Sequence, residues 1–577
     1  METTNLSKIR RDKMLNTISE IKKNITDEEI LSNLSMVENE LTKKKYGLIW
    51  EEHEERVDKE LETQIPTFEE VKEKEIVSNS NDKYNFLLEG DNLHSLYLLE
   101  KTHNGKIDVI YIDPPYNTGN KDFAYDDNYV DSEDGFRHSK WLSFMERRLK
   151  IAQNLLKSEG IILINIDDNE QAQLRILCDE IFGEENFVTC MPRRTKFSGK
   201  TTNKISANHD YVLIYEKNKN QSLIIGLQHN DEGFKYEDEY VNERGKYKLN
   251  QTLDYDSLSY SQSLDYPIQI KGITLYPGGD KAKYKERQNG IYKRADWAWR
   301  WSKDLFEFGY KNGFIVVKEG KKGIPRLYTK TYLNAKIQKD NNGKYKINIE
   351  PRTKPLSSIE FIESKYSNDN AKKDLLKIFE NSKFDYPKPI ELIKTLIKVY
   401  DNKNAVILDF FAGSGTTAQA VLELNRDDKG NRKFILCTNN ENKICEEVTY
   451  QRLIKINYGT TKMVSNNFNL KYYRCTYIPR INSENENLHN NLLINIKNLI
   501  QLENGIEVDD NKIRVFLDEQ NLDDFSNNED EISECDKIYI SSDILLTTKL
   551  EKIFKKNNIE VFIIPEYYFK DEIMEVI

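Results

Sequence analysis

From residue 84 the chain sets short, almost wholly apolar runs between longer amphipathic ones. "YNFLLEG" and "IDVIYID" read as buried strands, with "NLHSLYLLEK" as a helix between them. Next comes an amphipathic helix with Trp141, Met145, Leu149, Ala152 and Leu156 on one face, and "GIILINID" and "HDYVLIYE" then read as further strands. The alternation resumes near residue 385. "YPKPIELIKTLIKVY" predicts a helix with Pro389 in its first turn, followed by strand "AVILDFF", a Gly-rich turn, helix "TTAQAVLELN", strand "KFILCT" and helix "NKICEEVTYQRLIKI". Such β/α alternation predicts the α/β class: a doubly wound, mostly parallel Rossmann-like sheet with helices on both faces, assembled from the blocks 84–217 and 385–461.

The segments outside these blocks have other patterns. Residues 1–62 are charged, with Leu15, Ile18, Ile21 and Ile25 three to four apart, and predict a helical N-terminal arm. Residues 218–384 are rich in Tyr, Lys, Gly and Asn without a clean period and predict a separate inserted module. Residues 462–577 are Asn-rich and acidic, then regain strand character in "DKIYISSD" and "IEVFIIPE", which predicts a small C-terminal α/β domain. At 577 residues the chain exceeds what one hydrophobic core supports, and 38% hydrophobic with 11% aromatic residues suffices for several folded units.

Charge and cysteine content narrow the picture only slightly. A net charge of −11 excludes no nucleic-acid partner, because phosphate binding depends on local patches. Cys178, Cys190, Cys437, Cys445, Cys475 and Cys535 form no CxxC pair and have no His at zinc-site spacing, so they predict reduced thiols and no metal centre. The N-terminus lacks the apolar core of a secretory signal, and no apolar run approaches the ~20 residues of a spanning helix. The expectation is a soluble, cytoplasmic protein without a membrane segment.

Two strand exits carry candidate chemistry. In an open parallel sheet, ligands bind beyond the carboxyl ends of the strands, so Asp113-Pro114-Pro115-Tyr116 and "FFAGSGTT" can share a cleft if both strands belong to the sheet. Gly413 and Gly415 allow a tight turn, and the following helix points free N–H groups at the same place. Taken alone, that pattern fits a structural turn as well as a cofactor site. Asp409 suits a ligand ammonium, and Glu441, after the next strand, suits a ribose. Together they favour a nucleoside carrying an amino acid, S-adenosylmethionine. At the first exit, Asp113 and the Pro114 carbonyl, directed by Pro115, can each accept an N–H from an aromatic amine, drawing its lone pair toward a methyl donor. Tyr116 would stack on the base, which must have left the duplex.

These residues resemble a known family. Asp113-Pro114-Pro115-Tyr116 matches the D-P-P-Y motif of amino-group DNA methyltransferases, and Phe411-Ala412-Gly413-Ser414-Gly415 matches their F-x-G-x-G motif. The order, catalytic motif first and cofactor motif last around a long insert, resembles the β class. "LLEGDNLHSLYLLE", "YIDPPYNTGNKDFAYDD", "WLSFMERRLKIAQNLLKSEGIILINIDDNE", "NHDYVLIYEKN" and "LDFFAGSGTTAQAV" are similar to the modification (Mod) subunit of type III restriction-modification systems, over roughly 45–460.

The resemblance implies adenine-N6 methylation of double-stranded DNA with S-adenosylmethionine as cofactor, by a homodimer with a restriction (Res) subunit as partner. It places Asp113, Pro114, Pro115 and Tyr116 at the target base. Asp409, Phe411, Gly413, Gly415, Thr416, Glu441, Lys388, Pro389 and Asp91 fall at the cofactor, though a Gly-Asp turn such as that of Asp91 is often only a turn. Asp at the first motif position, where the cytosine-N4 pattern has Ser, favours adenine. A cytosine-N4 or RNA-base enzyme, or a catalytically silent DNA-recognition subunit, are the alternatives.

The resemblance also assigns target recognition to the insert. Its segment 281–304, "KAKYKERQNGIYKRADWAWRWSKD", interleaves basic and aromatic residues, which marks Lys293, Arg294, Trp297, Arg300 and Trp301 as DNA contacts. Alternating tryptophans equally describe a half-buried strand. "RRTKFSGKTT" lacks the first glycine of a phosphate-binding loop, since Arg194 stands there, and reads as a basic DNA-facing loop with Arg193, Arg194 and Lys196. His209 begins a strand and reads as structural. No helicase or nuclease motif is evident.

Overall fold

The apolar runs assemble into one nine-stranded sheet. In chain order its strands are β1 (Gln64–Glu70), β2 (Asn85–Glu89), β3 (Ile107–Ile112), β4 (Leu156–Ile166), β5 (Phe187–Arg194), β6 (His209–Glu216), β7 (Val406–Asp409), β8 (Lys433–Thr438) and β9 (Leu470–Pro479). The computed structural model describes residues 6–23, 25, 27–42, 50, 55–78, 83–119, 124–125, 128–129, 135–197, 205–228, 233–270, 272–319, 325–340, 342–379, 387–460, 464–479, 487–508 and 511–564.

The strands lie in the order β1-β9-β2-β8-β7-β3-β4-β6-β5. Pairing is parallel from β9 through β4 and antiparallel at both margins, where β1 joins β9 and the β5/β6 pair joins β4. Helices α1 (Asn92–His103), α2 (Arg137–Leu155), α3 (Gln171–Phe182), α4 (Ile390–Lys398) and α5 (Thr416–Asp428) connect the strands. This is an α/β, doubly wound sheet.

Every residue of β3 is buried, as a central parallel strand covered on both faces requires. Its one charge, Asp108, is satisfied rather than excluded. The carboxylate accepts from Lys157 Nζ at 2.9 Å, Asn402 Nδ2 at 3.0 Å, Tyr400 Oη at 3.2 Å and the Val406 amide at 2.9 Å. The last bond ties the start of β7 to β3, although the two are far apart in sequence. On α2, Trp141, Met145, Leu149 and Ala152 face the core as their spacing predicts, while Leu156 begins β4 instead of ending the helix.

The sheet draws two strands from outside the expected blocks. β9 comes from the segment read as a tail domain, and β1 lies before residue 84. Leu470, Tyr472 and Tyr473 are buried on both faces because β9 sits between β1 and β2; its Asn-rich surroundings hid that strand in the sequence. Beyond it, Ile513–Phe516, Lys537–Ile540 and Glu560–Ile563 form a small parallel sheet with its own core around Leu522, Phe525, Ile538 and Phe554.

The chain divides into two compact units, 1–223 with 358–577, and 224–357. The second contains an antiparallel sheet of Tyr247–Thr252, Pro325–Tyr332 and Ile315–Glu319, and a strand pair Asp254–Ser257 with Asp296–Trp299. Leu253, Trp299, Phe306 and Leu327 centre its core.

Candidate active site

β3 and β7 are adjacent and parallel, with Ile407 beside Val109 and Leu408 beside Ile110. Asp113 and Phe411 therefore leave the same sheet edge from neighbouring strands. The two exits that the sequence separates so widely lie side by side.

The acid-proline exit is braced from several directions. Trp141, one face of α2, donates its indole N–H to the Pro115 carbonyl at 2.8 Å. Lys388, in the turn before α4, places Nζ 2.6 and 2.7 Å from the two carboxylate oxygens of Asp113 and 2.9 Å from the Tyr116 hydroxyl. Tyr116 in turn donates to Asp210 Oδ2 at 3.3 Å. Burial first, then the negative charges of Asp113 and Asp210, push the Tyr116 phenol well above its ordinary pKa, so it remains a neutral donor.

Behind Tyr116, Arg193 corrects an expectation. It is 0% exposed, makes a two-pronged ion pair with Asp210, and donates to the Tyr366 carbonyl and Asn368 Oδ1, both at 2.9 Å. It cannot reach a phosphate. On β5 it alternates inward with Met191, as period two dictates, and of the three basic residues Arg194 and Lys196 are exposed. Arg194 lies 4.3 Å from the Phe197 ring centroid; the end of "RRTKFSGKTT", 198–202, is outside the described residues.

The glycine exit is built differently. Gly413 (φ 48°) and Gly415 (φ 75°) occupy left-handed backbone, and a Cβ on Gly415 would stand 3.1 Å from Thr449 Cγ2. The turn is held by Arg452, fully buried, whose Nη1 donates to the Ser414 carbonyl and Oγ at 3.1 Å and to Thr416 Oγ1 at 2.8 Å. Burial lowers the Arg452 pKa to about 10, and the guanidinium stays charged. Helix α5 starts at Thr416 with Gly415 as a cap that has no side chain to offer its N–H groups.

Asp409, 2% exposed, accepts from the Phe411 amide at 3.0 Å and from the Thr417 hydroxyl. Burial raises its pKa to about 7, against those two bonds, with the Asp113 charge adding to the rise. The edge thus carries two neighbouring carboxyl groups, one paired with a lysine and one, Asp409, with no paired cation among the described residues. Such a site is arranged to receive positive charge.

Pro389 is the residue before α4, not within its first turn. Phe411 packs 5.9 Å, centroid to centroid, from Phe144. Asp91 caps α1, accepting from Leu93 N at 2.7 Å, and lies 3.5 Å from Arg148. Glu441 follows β8 and is exposed, whereas its neighbour Asn440 donates to Glu89 Oε1, at the end of β2, at 2.9 Å. His209 bonds Tyr211 Oη at 2.9 Å on the surface.

In the insert, Lys293 and Arg294 are exposed, Trp297 is partly so, and Arg300 lies over the Tyr255 ring at 4.3 Å. Trp301 is partly buried and packs against the insert's core, as the plain packing reading expects. Among the described residues, one carboxylate group, Glu70, Glu75 and Glu507, could converge on a cation, and buried Lys471 already pairs with all three.

Sequence reasoning missed Arg452, Asp210, Asn117 and Glu170. Asn117 directly follows the D-P-P-Y corner, and Asp210 follows His209 in a strand, but nothing local distinguishes a buried polar residue from an exposed one. Only the partner, brought from another element, does so.

Comparisons with known proteins follow the same lines. A family model described as DNA methylase, of the N6/N4 methyltransferase type, matches residues 107–450. The type III restriction-modification enzyme StyLTI Mod subunit of Salmonella typhimurium is 32% identical over 420 residues, 67% of this chain and 58% of that protein. The EcoPI Mod subunit of Escherichia phage P1 is 31% identical over 449 residues, 72% of this chain and 66% of that protein. The type II methyltransferase M.KpnI of Klebsiella pneumoniae is 33% identical over 411 residues, 67% of this chain and 90% of that protein. The chain thus spans roughly three fifths to two thirds of the length of the two Mod subunits.

Proposed function

The chain belongs to the N6/N4 DNA methylase family, and on that premise we propose that it transfers a methyl group from S-adenosylmethionine to N6 of an adenine flipped out of a specific site in double-stranded DNA. The observation that carries this reading is the shared edge: Asp113 and the glycine turn leave adjacent parallel strands, with Asp409 near enough for Asp113 to raise its pKa.

The residues fit the cofactor. The turn at Gly413 and Gly415 takes left-handed backbone with no side chain on its outer side, the uncapped start of α5 offers N–H groups to a carboxylate, and Asp409 offers its carboxylate to an ammonium. When bound, S-adenosylmethionine supplies an electrophilic methyl on a sulfonium. The chain's own residues orient the amine. Asp113 accepts one N6 hydrogen with lone pairs left over from its lysine bonds, the Pro114 carbonyl accepts another, and Tyr116 lies beside the base. Lys388 sets the direction of the Asp113 carboxylate.

Asp113 at the first motif position supports adenine over cytosine N4. The relatives named as Mod subunits support a role in restriction-modification, as a homodimer working with a Res subunit, with the exposed basic and aromatic residues of the insert (Lys293, Arg294, Trp297, Arg300) contacting DNA. The test is direct. Incubated with unmethylated genomic DNA and S-adenosylmethionine, the protein is expected to produce N6-methyladenine on nucleoside mass spectrometry, confined to one short sequence motif on modified-base sequencing. N4-methylcytosine, or no methylated base, overturns the reading.

A further inference from the structure

Asn117, the residue after the D-P-P-Y corner, adopts left-handed backbone (φ 56°) and is buried. Its Nδ2 donates to Glu170 Oε1 at 2.5 Å and to the Arg137 carbonyl at 3.2 Å. Glu170, 0% exposed, lies just past the end of β4 and also meets His138 Nδ1 at 2.7 Å. Arg137 and His138 begin α2, the helix whose Trp141 holds the Pro115 carbonyl. One helical turn therefore grips the corner at Pro115 directly and at Asn117 both directly and through Glu170.

We propose that Glu170 is a positioning residue for methyl transfer, fixing the Asp113–Tyr116 corner through Asn117 and His138. The inference rests on the methyltransferase reading above and adds to it a residue outside the family's catalytic motif.

The hydrogen-bond pattern specifies the protonation state. Arg137 Nε donates to His138 Nε2 at 3.2 Å, so that nitrogen carries the lone pair and Nδ1 carries the hydrogen. Glu170 Oε1 thus accepts twice, from Asn117 and from His138. Oε2 is buried with no hydrogen-bond partner among the described residues. An ionised carboxylate there would leave half its charge unsolvated, whereas a neutral acid with its proton on Oε2 leaves one uncharged donor unmet, which costs less than a buried charge. Burial raises the Glu170 pKa to about 8, Asp167 at the strand end adds to the rise, and Asn117 and Arg137 oppose it. Burial and the Arg137 charge lower that of His138. The uncharged Gln173 amide of α3 has its nitrogen 3.4 Å from His138 Nδ1, where it faces the Nδ1 hydrogen and makes no bond with it. At neutral pH the link is acid to neutral imidazole; as pH rises through about 8 Glu170 ionises, both donors stay on Oε1, and the charge on buried, partnerless Oε2 draws the corner out of place to hydrate it.

Glu170→Gln keeps the shape and the neutral state, and Glu170→Ala removes the link. At pH 7 the Gln variant is expected to keep kcat within about threefold of the wild type and to lose the fall in kcat above pH 8. The Ala variant is expected to lower kcat about ten- to hundredfold, with KM for DNA and S-adenosylmethionine within about threefold, as misplacement of a reacting group does. Asn117→Gly, which keeps the left-handed backbone, should cost as much as Glu170→Ala, and the double variant no more than either. Independently of activity, the wild-type minus Glu170→Gln infrared difference spectrum at pH 7 should show the band of one protonated carboxylic acid in addition to that of Asp409, which both proteins share.

A Gln variant with the wild-type pH profile, an Ala variant with wild-type kcat, or the absence of that band would overturn the proposal. If Glu170→Ala fails to fold by near-ultraviolet circular dichroism, the Gln pH profile and the band decide. Wild-type protein assayed in parallel separates the two readings, because its failure to methylate DNA sinks the function itself.

Discussion

Two turns leave adjacent strands of one sheet edge, and they are stabilised in opposite ways. The Phe411–Thr416 turn is flexible by composition and is held by what lies behind it: glycines at φ 48° and 75°, a buried guanidinium from Arg452 on the turn's carbonyl and hydroxyls, and Thr449 against Gly415. The Asp113–Tyr116 turn is stiff by composition and is held by side chains that reach it from the front and sides: Lys388, Trp141, Asp210 and, through Asn117, Glu170. A ligand that only has to be cradled needs backbone room, so glycine suffices. A group that must direct a lone pair needs its acceptors aimed, and aiming takes bonds from several elements.

The comparison can be broken most severely at Asp113. Asp113→Ala is expected to reduce methyl transfer by about 10²–10³-fold or more while the Kd for S-adenosylmethionine stays within about threefold, read by labelled-methyl incorporation and by calorimetry. Equal losses of both would mean that the two turns are not functionally distinct. Gly415→Ala is the converse. Left-handed backbone and the contact with Thr449 make it cost about 1–2 kcal/mol, so cofactor binding should weaken about tenfold with a smaller change in kcat at saturating cofactor.

Asp409 sharpens the contrast by pH. Its raised pKa means that, without ligand, the neutral acid stabilises the fold below the usual carboxyl range, and this contribution is lost as pH climbs toward about 7. A cationic ligand favours the ionised form, so binding should release a proton below pH 7. Cofactor affinity is then expected to rise by up to about fivefold from pH 6 to 7 and up to about tenfold by pH 8, levelling off above, and Asp409→Asn should flatten the curve, as calorimetry across that range would show. The smallest effect serves as a control. Lys293→Ala, in the insert, should lower DNA affinity about two- to threefold and reduce the salt slope of binding by about one, with kcat at saturating DNA unchanged.

Several features could be read from the residues alone because each depends on neighbours in the chain. The all-apolar β3, the stripe Trp141, Met145, Leu149 and Ala152, and the left-handed glycines of the cofactor turn are of this kind. Arg193 was misread for the opposite reason. Beside Arg194 and Lys196 it looks like one more surface cation, and its burial depends on Asp210 pairing with it from the next strand. β9, hidden among asparagines, becomes a strand only because β1 and β2 stand on either side of it.

Local pattern therefore dictated the strand and helix types, the two turns and the chemistry their residues permit, since backbone conformation and motif spacing act over a few positions. Which turns meet, which charges are buried, and which cation faces Asp113 were decided by folding. Those outcomes depend on pairing β3 with β7 and on bringing Lys388, Asp210 and Glu170 to one edge, and the desolvation and Coulomb interactions that shift Asp409 and Glu170 exist only once that edge is assembled.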